Sequence, residues 1–156
     1  MLLPCWPMAR EPISRPAGFT RCYGCGGDNA LGLALEFFRD GDTVIAEWTP
    51  LDEHGGFGRL VHGGLLATVI DEAFGWATYA LLGEAALTTE LSVTYHAGVV
   101  CGEPVTVRGA IAGRDAKTVE VRAEIADAKG ALAATGIGKM RVLSIRALER
   151  LGRFRT

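Results

Sequence analysis

Cysteine is scarce in this chain, with four among 156 residues at positions 5, 22, 25 and 101. Cys22 and Cys25 form a single C-x-x-C pair with no second pair at zinc-module spacing, so the expectation is reduced, structural cysteines and no bound metal. A G-x-S-x-G nucleophile elbow is missing, which argues against a serine hydrolase of the α/β class. So is a glycine-rich phosphate loop of the nucleotide-binding kind. No excess of one charge exists either: 16 Lys and Arg against 18 Asp and Glu leave a net −2, so nucleic acid is not expected as the main partner. The segment Met1 to Pro7 has neither a positive n-region nor a sustained apolar run, and the one long apolar stretch carries two carboxylates. The expectation is therefore a cytoplasmic protein without a membrane partner.

About half of the chain is apolar, enough for one core and one domain. Residues 1–20 hold Pro4, Pro7, Pro12 and Pro16 and no periodicity, and read as an irregular arm. Residues 21–143 read as the folded domain, and 144–156 as a basic tail, where Arg146, Arg150, Arg153 and Arg155 face only Glu149. That tail reads as a solvated end or as a contact for substrate phosphates. Leu33 to Phe38 and Val44 to Trp48 predict two strands joined at Asp40-Gly41, a strong hairpin signal. Leu87 to Tyr95, Val105 to Ile111, Val119 to Ile125 and Leu132 to Val142 predict further strands with no crossover helices between them, so an antiparallel sheet.

Between the two groups lies the informative stretch. Gly63 and Gly64 open a helix that is apolar on nearly every face from Leu65 to Leu82 and ends at Gly83, the pattern of a helix surrounded by protein. Such a sheet must wrap the helix, giving an α+β fold. A helix N-terminus offers free N–H groups and partial positive charge, and two glycines let a carbonyl come close, which suits an oxyanion hole. Asp71 and Glu72 interrupt the apolar run, and a carboxylate there must find solvent, a donor or a ligand. Neighbours on a helix are about 100° apart, so the two cannot point the same way. Asp71 lies nine residues after His62, roughly 13 Å along the axis, too far to share a site within one chain. Two copies with antiparallel helices across a two-fold axis would bring the glycines of one to the Asp71 of the other, so an obligatory dimer is expected.

His62-Gly63-Gly64 with Asp71 in such a helix, together with Cys22-Tyr23-Gly24-Cys25-Gly26, Asn29 and Gly32-Leu33, resembles the hotdog-fold acyl-CoA thioesterases of the phenylacetate-pathway (PaaI-like) type. The resemblance covers roughly residues 21–143. It implies an antiparallel sheet wrapped around one long helix, a homodimer or tetramer of dimers, and hydrolysis of an acyl-CoA thioester to a free acid and CoA without a cofactor. It implies Asp71 as catalytic base or nucleophile, Gly63 and Gly64 as the oxyanion-binding turn, His62 as a thioester-positioning residue, and Thr88 as a holder of the attacking water. Glu72, Gly56 and Thr89 are expected against the substrate. Gly56 stands where some members carry Asn or Gln, and His96-Ala97-Gly98 where many carry Arg and Pro, which leaves room for an unusual acyl carrier. A hydroxyacyl-thioester dehydratase or hydratase, or an acyl-CoA-binding module without turnover, are the alternatives. Trp48, Phe57, Phe74, Trp76 and Tyr79 are candidate acyl-pocket residues or ordinary core.

Overall fold

The hairpin signal at Asp40-Gly41 produces a tight turn between two paired strands in the structure, a computed structural model that describes residues 10–15 and 18–152. Strand β2 (Phe38–Asp40) turns through Gly41, whose φ of 64° is left-handed, into β3 (Thr43–Trp48). A two-residue strand, β1 (Glu11–Pro12), pairs with β2 inside the segment read as an irregular arm. After the helix come β4 (Ala86–Tyr95), β5 (Val105–Arg114), β6 (Thr118–Asp127) and β7 (Leu132–Val142). The described strands form one sheet in the order β1-β2-β3-β5-β6-β7-β4, every pairing antiparallel.

The stretch 33–37 corrects the sequence reading. Leu33, Leu35 and Phe37 are buried while Ala34 and Glu36 are exposed, the alternation of a strand, but the segment joins no ladder of the sheet. Its N–H groups at Leu33 and Leu35 instead donate to the Tyr23 and Gly24 carbonyls, and Ala34 has a φ of 51°. Alternation here reports burial and not strand pairing. The basic tail also holds structure, a short helix α2 (Ile145–Gly152), whose Ser144 hydroxyl accepts from the Ala147 N–H at 3.2 Å; Arg153 and Arg155 lie outside the described residues.

Helix α1 (Gly63–Leu82) ends where Gly83 takes a left-handed φ of 69° and donates to the Tyr79 carbonyl. By length and composition it could cross a bilayer. In this fold the sheet takes that role, because Leu66, Val69, Ile70, Ala73, Phe74, Trp76 and Ala77 are buried and α1 packs on β3, β4, β5, β6 and β7. From the sheet Val107, Val119, Val121, Ala123 and Ile125 point back into the same core. Burying each such side chain stabilises the fold by about 1.5–3 kcal/mol. Close approach depends on small residues in the sheet: a Cβ on Gly109 would sit 2.6 Å from the Ala73 carbonyl oxygen, and one on Gly136 would overlap Ile70. Trp48, Phe74 and Trp76 are therefore core, whereas Phe57 is 87% exposed. At the other end of the sheet β4 is an open edge, with Leu87, Leu91 and Tyr95 each 40% or more exposed.

Candidate active site

The site is assembled from the start and the middle of α1. At its start His62 has extended backbone (φ −60°, ψ 128°) and acts as N-cap, its Nδ1 accepting from the Gly64 N–H at 2.9 Å. The ring thus carries its proton on Nε2 and presents that edge outward. The Gly64 donor is used by this cap. Gly63 N–H has no acceptor among the described residues, so it is the first-turn donor left for a ligand. Tyr95, on the edge strand, donates its hydroxyl to the Gly63 carbonyl at 2.8 Å and fixes this turn from the side. The His62 N–H donates to the His54 carbonyl, and His54 Nδ1 accepts from the Leu51 N–H, so the loop before the helix is tied down by its own histidine. Gly56 backs the cap: a Cβ there would lie 2.9 Å from the His62 Cα. A side chain at this position would require the His62 backbone to shift.

Two turns further on, the adjacent acids diverge as helix geometry requires. Asp71 faces β4, where Thr88 donates its hydroxyl to Oδ1 at 2.6 Å; Oδ2 has no donor among the described residues. Glu72 faces the N-terminal loop, where Cys22 donates its thiol to Oε1 at 3.2 Å. Behind it Cys25 is buried, and burial, helped by the nearby Glu72 charge, pushes its thiol pKa well above the usual range. Thr89 turns away from Asp71 and donates to the Lys139 carbonyl, and His96 Nε2 pairs with the Thr135 hydroxyl.

A single chain therefore groups Asp71 with Thr88, and His62 with Gly63, Gly64, Gly56 and Tyr95, as two separate half-sites. Tyr95 escaped the sequence reading because 32 residues separate it from Gly63. Two cavities of the chain, of about 240 and 300 Å³, lie elsewhere: one beside Pro12, Phe37 and Trp76, the other between residues 97–105 and 127–133. Neither includes Asp71, Thr88, His62 or Gly63.

One long apolar helix wrapped by an antiparallel sheet is the architecture of the hotdog class. Residues 58–134, just under half of the chain, match the family model of the thioesterase superfamily. Among solved structures, a thioesterase-superfamily protein is 27% identical with a TM-score of 0.74; the match covers 80% of this chain and only 61% of that longer one. The PaaI protein of E. coli, from the phenylacetic acid degradation operon, is 19% identical (TM-score 0.67, 72% of this chain and 81% of that one). A Streptococcus mutans protein bound to acetyl-CoA is 19% identical (TM-score 0.65, 70% and 89%). No curated protein compared with the chain matches it.

Proposed function

We propose that this protein is an acyl-CoA thioesterase whose active site is completed by a second copy of the chain. The observation that carries the reading is Asp71: a half-buried carboxylate on an apolar helix, gripped on one oxygen by Thr88 and open on the other. Oδ2 takes a proton from water as the water oxygen attacks the thioester carbonyl carbon. The oxyanion so formed is held by the N–H of the partner's Gly63, near the positive end of that helix. Collapse breaks the C–S bond and expels the CoA thiolate, a leaving group good enough to need no strong acid. His62 Nε2–H lies at the same helix end as a further donor to the thioester oxygen or the thiol carrier.

Three observations support the composite site. The half-sites of one chain are roughly 13 Å apart, neither of the two cavities described above joins them, and apolar side chains stand exposed beside each: Leu51, Phe57 and Leu60 near the cap, and Leu87, Leu91 and Tyr95 on the edge strand. The acetyl-CoA seen in the Streptococcus mutans relative supports CoA as the carrier. The test is thiol release from a panel of aryl, short, medium and long acyl-CoAs by wild type, Asp71→Asn and, as a control, the exposed Glu124→Gln. Turnover abolished by the first substitution and kept by the second is the expected result. Acyl-CoA binding without turnover on any ester would replace the enzyme with a binding module.

A further inference from the structure

The chemistry above leaves Glu72 and the Cys22-x-x-Cys25 loop unused, yet the fold brings them together with some care. The loop is held by its own backbone: Gly26 N–H donates to the Cys22 carbonyl and Asp28 N–H to the Thr20 carbonyl, both at 2.8 Å. Asn29 closes it from within, donating Nδ2 to the Arg21 carbonyl while its Oδ1 accepts from the Leu31 N–H. The glycines are demanded by close approach. A Cβ on Gly26 would stand 2.5 Å from the Thr20 and Cys22 carbonyl oxygens, and one on Gly24 would overlap the Glu72 side chain. A loop shaped this tightly against one helical carboxylate does more than fill space.

Cys22 Sγ, Cys25 Sγ and a Glu72 carboxylate oxygen lie within 4.8 Å of one another. Ligand atoms of a tetrahedral zinc site, with Zn–S about 2.3 Å and Zn–O about 2.1 Å, are roughly 3.5–3.8 Å apart, so side-chain shifts of about an ångström would close the set. The alternative, a carboxylate facing two thiols alone, is poorly compensated. Among the described residues Glu72 has no Lys, Arg or His ion-pair partner and faces only weak S–H donors.

We propose that Cys22, Cys25 and Glu72 form a three-ligand site for a thiophilic divalent cation, zinc foremost, that ties the N-terminal loop to α1 at the residue beside Asp71. Two thiolates select soft or borderline cations over calcium or magnesium, and a water or other small donor fills the fourth position. On binding, both thiol protons leave to solvent, the Cys22 to Glu72 hydrogen bond gives way to two S–metal bonds and one O–metal bond, and no oxidant takes part. This replaces the expectation of purely structural cysteines. The cation fixes the rotation of Glu72 and, through the helix, the aim of Asp71, so it acts as a positioning device.

The experiment is a titration of the full chain, stripped by chelator and kept reduced, with Co²⁺ followed by absorbance, together with zinc content as purified. Expected are one metal per chain, a thiolate-to-cobalt charge-transfer band with tetrahedral visible bands, and displacement of cobalt by zinc. Cys22→Ser and Cys25→Ser should each weaken binding by about 100-fold or more and Glu72→Gln by at least about tenfold, while Cys101→Ala leaves it unchanged. Since a serine variant can fail to fold, the wild-type spectrum decides by itself. No bound metal, cobalt bound without the thiolate band, or thiols lost in pairs as a disulfide in place of metal uptake would each overturn the site. Folded Cys22 and Cys25 variants that bind cobalt as the wild type does would overturn it too. None of these readouts needs turnover, so the site and the thioesterase reading can fail separately.

Discussion

Replacing Thr88 by Val removes one hydroxyl and little else. Valine keeps the β-branch and nearly the volume, so β4 and its contact with α1 should stand. What disappears is the 2.6 Å bond to Asp71 Oδ1, in the short range of a hydroxyl donating to a carboxylate. Hydrogen bonds to charged groups contribute about 1.5–3 kcal/mol, which at 1.36 kcal/mol per decade corresponds to a fall of roughly 10- to 150-fold in rate. The loss should appear in kcat with KM little changed if, as proposed, Thr88 orients the base and does not touch substrate. Thr88→Ser, which keeps the donor, should recover most of the rate. Steady-state thiol release on the preferred acyl-CoA reads all three proteins. A Thr88→Val enzyme within twofold of wild-type kcat, beside an inactive Asp71→Asn, would refute the claim that this bond aims the carboxylate; a loss confined to KM would move Thr88 to substrate binding.

Other consequences are open to equally direct checks. His62→Ala should cost about 0.5–2 kcal/mol in urea unfolding by stripping the N-cap from α1, and His62→Asn should restore stability without restoring full turnover if Nε2–H contacts the thioester. Gly136→Ala forces a methyl into Ile70 and should cost about 1–3 kcal/mol, read as a drop in Tm. Asp115 accepts from the Lys117 and Thr118 N–H groups, which holds its pKa below the ordinary 3.8. A carboxylate lowered in the folded state stabilises above its unfolded pKa and ceases to do so as pH falls through the folded one, so Asp115→Asn should narrow the stability difference between pH 7 and pH 3. If the two proteins lose stability in parallel on acidification, the turn plays no part. Leu91→Asp on the edge strand should yield a folded monomer without turnover by light scattering and thiol release; a fully active monomer would sink the shared site.

The helix and the hairpin were legible because their signals are local: an apolar run bounded by Gly63 and Gly83, and Asp-Gly between two apolar stretches. Asp71 and the glycine pair stand out for the same reason, as breaks in a pattern. What resisted reading was either borrowed or remote. Leu33 to Phe37 alternates like a strand because one side is buried, but whether a neighbour supplies a ladder is a fact of tertiary structure. The C-terminal helix has its local signal in Ser144, whose hydroxyl accepts from the Ala147 N–H, at the head of a segment whose most conspicuous feature is its arginines. Tyr95 on Gly63, 32 residues away, and Cys22 on Glu72, 50 residues away, leave no trace in spacing. The same holds for Gly64, whose N–H reads as free from the sequence and is taken by the neighbouring imidazole in the fold.

Asp71 and Glu72 show how one helix can carry two acids through an apolar core. A single buried carboxylate must be compensated, and two in succession would double the cost if they shared an environment. The turn of about 100° between them sends each to a different wall: Asp71 to the strand hydroxyl of Thr88, Glu72 to the thiols of the N-terminal loop. The two environments differ in what they leave unused. Thr88 satisfies one oxygen of Asp71 and leaves the other without a donor among the described residues, whereas Gly24 and Cys22 press directly against Glu72. If Glu72 is locked from the loop side, α1 cannot roll, and the angle at which Asp71 meets Thr88 is set before substrate arrives. Catalysis by a base of fixed orientation needs that constraint, since a misplacement of about 1 Å can cost roughly 100-fold. Loosening the loop by Cys22→Ala should therefore lower kcat although residue 22 touches neither Asp71 nor Thr88, and a variant that is fully folded and fully active would show that the two acids are independent.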